Sequence, residues 1–155
     1  MDQRFIEIIR SYADVNQVRR DIVYGICARE SAFDPFACRY EPNYRWLYSP
    51  SKVKPATCSL DTETMLQKTS WGLMQVMGGV FREYGFKGWL SSIPADPRIQ
   101  LQYGCMHLAT KIRKYGMEGG IAAYNAGIPD ANRDGAIDNP AYVQAVLKFS
   151  KEYSE

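Results

Sequence analysis

The stretch VNQVRRDIVYGICARES, residues 15–31, combines an apolar stripe with a carboxylate at its end. Apolar side chains at three- and four-residue spacing predict an amphipathic helix that runs from about Val15 and faces a core: Val18, Ile22, Val23, Ile26 and Cys27. Glu30 follows one turn later on the same inward side. Partial desolvation at such a position raises the pKa of a carboxyl toward the range of a general acid. The alternative is a surface Glu30 that pairs with Arg29 or Arg39.

Size and composition indicate one ordinary globular domain over residues 1–155. The chain has 46% hydrophobic and 23% charged side chains, and its formal net charge of +2 does not indicate a nucleic-acid partner. No apolar run approaches the length of a membrane span. Glu7 interrupts the short apolar run at residues 5–9, so we expect no N-terminal secretory signal.

Helical periodicity and capping signals recur along the chain. Asp96-Pro97 and Asn139-Pro140 each combine an N-cap with a proline suited to the first helical turn. Gly85 and Gly116 stand where helices are expected to end. No stretch shows convincing strand alternation, so the fold class predicted is all-α. Besides the helix that carries Glu30, the pattern predicts helices over about residues 5–12, 61–68, 72–84, 97–115, 118–126 and from 140 onward.

The four cysteines do not form a metal-binding pattern. None belongs to a C-x-x-C pair, and the chain has a single histidine, His107. Cys27 and Cys105 fall on apolar helix faces and are interpreted as small core residues. Cys38 and Cys58 bracket an irregular stretch and are either free or joined by a disulfide.

Three short motifs then occur in order along the chain: Glu30-Ser31, Gly72-Leu73-Met74-Gln75 and Ala123-Tyr124-Asn125-Ala126-Gly127. Together they resemble the soluble lytic transglycosylase (SLT) domain family, which is related in fold to goose-type lysozyme. The stretches at residues 39–42 and 70–78 look most like the phage and prophage members of that family. The resemblance implies a single lysozyme-like helical domain with a glycan-binding groove.

The resemblance also implies an activity. The chain would cut the β-1,4 bond between N-acetylmuramic acid and N-acetylglucosamine in peptidoglycan, with Glu30 as the catalytic acid. The family usually lacks a second catalytic carboxylate, and the N-acetyl group of the substrate stabilises the developing charge. Glu30 then takes the proton of the muramyl 6-hydroxyl, and a 1,6-anhydro product forms without water.

Supporting roles follow from the resemblance residue by residue. Tyr124 matches a catalytic tyrosine whose hydroxyl approaches the carboxyl of Glu30. Asn125 matches an asparagine that either contacts sugar or braces its loop. Met74 and Gln75 match residues that line the glycan groove.

Two further residues have alternative interpretations. Ser31 either binds substrate or bonds to nearby backbone. Tyr142 either matches the family's tyrosine on the last helix, as a substrate-binding residue, or is a plain core aromatic.

A long segment from Asp34-Pro35 to about Thr57 is rich in aromatic residues and prolines. Loops of this length are usually functional or disordered, and the aromatic content argues against disorder. Aromatic rings stack on the apolar faces of sugars, so residues 40–48 are expected either to form a groove wall or to pin the loop to the protein body through Tyr44 and Trp46.

Two other functions stay open at this point. Glu41 or Glu63 facing Glu30 across a water would make the chain a hydrolytic lysozyme. A glycan-binding or virion structural module is the other alternative. We expect peptidoglycan strands as the partner, and a chain that acts as a monomer or within a larger phage or secretion assembly. Delivery to the cell wall would be virion-borne or by another export route.

Residues 130–138 match the first nine positions of an EF-hand calcium loop. Oxygen ligands would be Asp130, Asn132, Asp134 and Asp138. Ala141 stands at position 12, where a bidentate glutamate belongs. A solvated turn is therefore preferred over a calcium site, and we expect no cofactor.

Overall fold

A computed structural model describes residues 3–126 and 139–154. Its helices are α1 (Ile6–Val15), α2 (Arg20–Ser31), α3 (Pro50–Val53), α4 (Leu60–Gln67), α5 (Gly78–Glu83), α6 (Pro97–Ala126) and α7 (Pro140–Ser150), with 3-10 turns at Gln3–Phe5 and Leu90–Ala95. Three short strands are β1 (Cys38–Tyr40), β2 (Thr69–Trp71) and β3 (Val76–Met77). The prediction of a mostly helical fold is confirmed.

Helix α2 is the central element, and it packs most extensively against α7. The predicted stripe is confirmed, since Ile22, Val23 and Ile26 are fully buried. Gly25 makes the close approach possible, because a Cβ there would overlap the Val146 carbonyl oxygen of α7. The predicted start of this helix at Val15 is wrong, because α1 ends there and α2 begins only at Arg20.

The three strands form an antiparallel sheet in the order β1-β2-β3, with Cys38 opposite Trp71 and Ser70 opposite Met77. The helix predicted to begin near Gly72 is wrong. Gly72 and Gln75 have φ values of 75° and 49°, in the left-handed region that an α-helix excludes. Residues 72–75 instead form the turn between β2 and β3, and the helix begins only at Gly78.

Helix α6 contains the two helices predicted on either side of Gly116. This glycine has φ 77° and ψ 179°, so the backbone bends there. The predicted N-cap-proline start at Asp96-Pro97 is confirmed, since α6 begins at Pro97.

All four cysteines are free. A disulfide between Cys38 and Cys58 is not present: Cys38 is exposed on β1, whereas Cys58 is buried within the loop before α4. The core positions predicted for Cys27 and Cys105 are confirmed, as both are fully buried. In the described part of the chain, none of the helices combines the length and the apolar character that crossing a membrane requires.

Candidate active site

A cleft of about 590 Å³ lies where α2, the sheet and α6 meet. Its lining combines ionisable, polar and apolar side chains: Arg29, Glu30, Ala37, Cys38, Arg39, Glu41, Ser70, Gln75, Val76, Met77, Val80, His107, Tyr124 and Asn125. Four residues predicted for the site, Glu30, Gln75, Tyr124 and Asn125, therefore lie together. Ser31, Met74 and Tyr142 are not part of this lining.

Glu30 sits in the last turn of α2, on the side that continues the buried stripe. Burial raises the pKa of its carboxyl above the ordinary value, because desolvation penalises the charged form. Hydrogen bonds from Tyr142 and Asn125 and the charges of Arg29 and Arg39 lower this pKa, but burial is the largest effect. A carboxyl in this setting holds its proton to higher pH than a surface glutamate.

Tyr142 donates the hydrogen bond that orients this carboxyl. Its hydroxyl lies 2.6 Å from Glu30 Oε1. The ring is buried in the first turn of α7, and the Asn139 side chain accepts from the Tyr142 backbone N–H as the N-cap. Burial and the neighbouring Glu30 raise the pKa of Tyr142, so the hydroxyl stays protonated and remains a donor. Tyr142 is thus a core aromatic whose hydroxyl contacts Glu30, and its role toward substrate stays a prediction.

The contact predicted for Tyr124 belongs to this other tyrosine. The Tyr124 hydroxyl donates instead to the Met74 carbonyl oxygen at 2.6 Å. It thereby ties α6 to the turn between β2 and β3, and its ring is 9% exposed beside the cleft. The Met74 side chain is fully buried, so the prediction that it lines the groove is wrong. Met74 contributes its backbone carbonyl to the support of the site.

Gln75 has the position predicted for it, on the cleft wall. Its amide donates to the carbonyl oxygens of Ala37 and Gly72 at 3.0 and 2.9 Å, and its Oε1 accepts from the Ser70 hydroxyl at 2.8 Å. The hydroxyl of Ser31 bonds to the Leu73 carbonyl oxygen at 2.8 Å. The structure therefore shows the backbone contact that was one of the two interpretations of Ser31.

Asn125 is exposed at the cleft rim near the end of α6. Its Oδ1 accepts from the Asn139 side chain at 2.7 Å, which joins the end of α6 to the start of α7. The same side chain bonds to Glu30. Asn125 thus both braces the two helices and faces the Glu30 carboxyl.

The two spare carboxylates have different surroundings. Glu63 is fully buried and makes a two-point ion pair with Arg82, at 2.7 and 3.0 Å. Such a carboxylate cannot reach a water in the cleft, so it is a structural residue. Glu41 does line the cleft, where its Oε1 pairs with Arg39 Nε.

His107 is a cleft residue for which the sequence analysis assigned no role. It projects from α6, 3.5 Å from the Tyr84 hydroxyl, with its ring against Tyr124. Burial, aided by the charge of Lys111, lowers its pKa to about 4, so the imidazole is neutral at neutral pH. A single histidine among apolar residues carries no motif, and only the packing of α6 on the sheet brings it to the cleft.

The aromatic side chains of residues 40–48 are not among the described residues that line this cleft, although Glu41 of the same segment is. Tyr40, Trp46 and Tyr48 are 49%, 70% and 44% exposed, and the Tyr44 ring contacts Trp46 edge-on at 5.6 Å. The Trp46 carbonyl oxygen and the Tyr44 ring both lie against Gly79 of α5. The predicted pinning of the loop is therefore observed through Tyr44, whereas its role as a groove wall stays a prediction.

The calcium hypothesis falls on residues 130–138, outside the described residues. Within residues 3–126 and 139–154, no cluster of three or more His, Cys, Asp or Glu side chains is arranged to hold a metal ion.

Comparison with known proteins gives one family. No curated protein matches the chain significantly. The family model of the transglycosylase SLT domain matches residues 7–141, which include all three motifs and every described residue of the cleft. The chain is therefore a member of the transglycosylase SLT domain family, in which a lysozyme-like helical domain acts on peptidoglycan.

Proposed function

We propose that this chain is a peptidoglycan lytic transglycosylase that cleaves the β-1,4 bond between N-acetylmuramic acid and N-acetylglucosamine and forms 1,6-anhydro-N-acetylmuramic acid. The observation that carries the proposal is the Glu30 carboxyl, which is desolvated, held by a tyrosine hydroxyl and open to a cleft of about 590 Å³. Family membership supplies the substrate class.

The first step needs a protonated Glu30. Its carboxyl donates a proton to the glycosidic oxygen as the bond from that oxygen to C1 breaks, and the N-acetyl group of the muramyl residue stabilises the positive charge at C1. Burial favours the protonated resting state, because it raises the pKa of Glu30. The glucosamine portion then leaves as an alcohol.

The second step uses the same group as a base. The Glu30 carboxylate takes the proton of the muramyl 6-hydroxyl, and that oxygen bonds to C1 to close the 1,6-anhydro ring. Glu30 ends protonated, as it began, and no water is consumed. The Tyr142 hydroxyl donates to the carboxylate formed between the two steps and keeps its orientation.

Hydrolysis is the second candidate, because Glu41 lines the same cleft as Glu30. As a base it would have to activate a water, but its Oε1 is engaged by Arg39. We therefore favour the single-carboxylate mechanism. Glu41→Gln is expected to leave 1,6-anhydro ends as the product, whereas a lysozyme mechanism predicts loss of reducing muramyl ends.

The proposal is tested by Glu30→Gln in a zymogram with purified peptidoglycan. The change is nearly isosteric and removes the transferable proton, so clearing should fall by about 100-fold or more while the melting temperature stays near that of the unchanged chain. Glu118→Gln, at an exposed position of α6, is the matched control. If Glu30→Gln retained most of the activity, Glu30 would not be the catalytic acid.

A further inference from the structure

Positive charges outnumber negative charges on the described cleft lining when Glu30 is protonated, the state that the proposed reaction requires. Among the described lining residues, Arg29 and Arg39 are cations, and Glu30 and Glu41 carry the carboxyl groups. Glu30 must be protonated to act as an acid, and His107 is neutral because its pKa is about 4. The described lining of the cleft thus carries two positive charges and one negative charge when Glu30 is protonated.

Both arginines are placed where a bound substrate would meet them. Arg29 precedes Glu30 on α2, and its guanidinium carbon lies 5.7 Å from the centre of the Tyr142 ring. Stacking on that ring holds the charged head near the acid. Arg39 lies in the middle of β1 with 77% of its side chain exposed, and its contact with Glu41 uses one of the five N–H donors of a guanidinium.

These two charges oppose the function of the acid when the cleft is empty. Each of them lowers the pKa of Glu30, whereas a general acid needs its proton. An anion on the substrate that paired with the arginines would reduce this effect once the glycan is bound. The wall therefore fits an anionic ligand better than a neutral one.

We propose that Arg29 and Arg39 bind a carboxylate of the substituent on the 3-hydroxyl of the muramyl residue, and so select muramyl glycans over neutral ones. The inference rests on the proposed function. Muramic acid differs from glucosamine by a lactyl ether at this hydroxyl. In strands without peptides the lactyl group is itself a carboxylate, and in intact strands the carboxylates lie on the attached peptide. Planar guanidinium groups suit both.

The test compares dissociation constants for three glycans of four sugars: neutral N-acetylglucosamine tetramer, the peptide-free muramyl tetramer and the peptide-bearing muramyl tetramer. Calorimetry uses the full chain with Glu30→Gln, so that no ligand is consumed. Arg29→Gln, Arg39→Gln and their combination are each added to this background, and melting curves verify folding.

The Glu30→Gln chain with both arginines in place should bind anionic tetramers more tightly than the neutral tetramer. Each arginine removed should reduce the preference about two- to fivefold, the range for partly exposed ion pairs. Glu41→Gln should increase the preference, because it removes the negative charge beside Arg39. If the Arg39–Glu41 pair had only a structural role, Arg39→Gln and Glu41→Gln would change the preference for anionic tetramers in the same direction. Arg113→Gln, an exposed arginine of α6 outside the cleft lining, should leave the preference unchanged.

The two anionic tetramers identify the source of the carboxylate. A preference for the peptide-free tetramer alone assigns the lactyl carboxylate, and a preference for the peptide-bearing tetramer alone assigns the peptide carboxylates. A preference for both means that the arginines bind either carboxylate. Equal binding of all three glycans by a chain that still clears peptidoglycan would overturn the inference and leave the proposed function intact. Binding of none, together with absence of clearing by the chain with Glu30 in place, would overturn both.

Discussion

At the scale of single residues, the hydroxyl groups of Tyr142 and Tyr124 have different acceptors, so we expect their removal to affect turnover and stability differently. Tyr142 donates to Glu30 and Tyr124 donates to the Met74 backbone, each at 2.6 Å. Tyr142→Phe should lower kcat about ten- to hundredfold, since hydrogen bonds to charged groups contribute about 1.5–3 kcal/mol. Steady-state rates on purified glycan strands measure this.

Tyr124→Phe is the matched comparison. It leaves the buried Met74 carbonyl oxygen without its donor, so we expect the free energy of unfolding to fall by about 1–3 kcal/mol with a smaller effect on kcat. Denaturant unfolding and the rate assay, applied to both variants, separate the two roles. If Tyr124→Phe lost turnover at unchanged stability and Tyr142→Phe did the reverse, the assignment would be inverted.

The pH dependence of the reaction gives an independent test of the Tyr142 contact. A general acid acts while protonated, so kcat/KM should decline as pH rises through the raised pKa of Glu30. The Tyr142 hydrogen bond lowers that pKa, because it favours the carboxylate. Its removal in Tyr142→Phe should move the decline to higher pH. A decline at unchanged pH would mean that the hydroxyl does not bond to the acid in solution.

Local helical periodicity predicted the inward position of Glu30, and the resemblance of three motifs to the SLT family made it the candidate acid. That resemblance assigned the hydrogen-bonding tyrosine to Tyr124, although the structure has Tyr142 in that contact. The choice depends on how α7 packs against α2, over a separation of 112 residues. Local periodicity does not contain that information.

At the scale of elements, the turn between β2 and β3 supports the cleft through Gly72. A Cβ at this position would overlap the Gln100 side chain, whose Oε1 accepts from the Leu73 N–H at 2.8 Å. Gly72→Ala should therefore lower the free energy of unfolding by roughly 2–4 kcal/mol, from left-handed backbone strain plus steric overlap. Urea unfolding followed by circular dichroism measures the loss.

Gly116→Ala is the control for the backbone part of this effect. Gly116 has φ 77°, close to the 75° of Gly72, but a Cβ there meets no atom within 4 Å. We expect backbone strain alone, about 1–3 kcal/mol, because φ 77° with ψ 179° lies in a region that residues with a Cβ rarely adopt. A loss in Gly72→Ala of no more than about 1–2 kcal/mol, the cost of left-handed strain alone, would show that Gln100 moves aside without cost.

The same turn explains why a helix was expected from Gly72. Leu73, Met77 and Val80 have helical spacing, so periodicity alone predicts one helix. The paired strands β1 and β2 and the positive φ of Gln75 override that pattern. Strands of two or three residues are also too short to show alternation.

The ion pair between Glu63 and Arg82 joins α4 to α5. Both side chains are fully inaccessible, so Glu63→Gln should lower the free energy of unfolding by about 3–5 kcal/mol through an unpaired buried charge. Asp14→Asn, which breaks a solvent-exposed pair with Arg20, should cost much less, because solvent screens that pair. Thermal or urea unfolding of the two variants compares these losses. A change of product in the folded Glu63→Gln variant would contradict its structural role.

At the scale of the whole molecule, distant segments of the chain meet at one cleft. Helix α2 supplies Glu30, α7 supplies the tyrosine that orients it, and α6 with the sheet forms the walls. Caps, prolines and glycines predicted the last two helices, because these signals act within a few residues. The pairing of the strands and the set of charged residues that line the cleft depend on long-range packing, so local signals in the sequence do not predict them.

The identity of the new chain end tests the central claim most directly. Purified peptidoglycan is digested with the unchanged chain, and the muropeptides are analysed by mass spectrometry. A single acid and base at Glu30 predicts muramyl ends in the 1,6-anhydro form, one water lighter than hydrolysis products and without a reducing hemiacetal. Predominantly reducing muramyl ends would contradict the mechanism and make Glu41 the base that activates water.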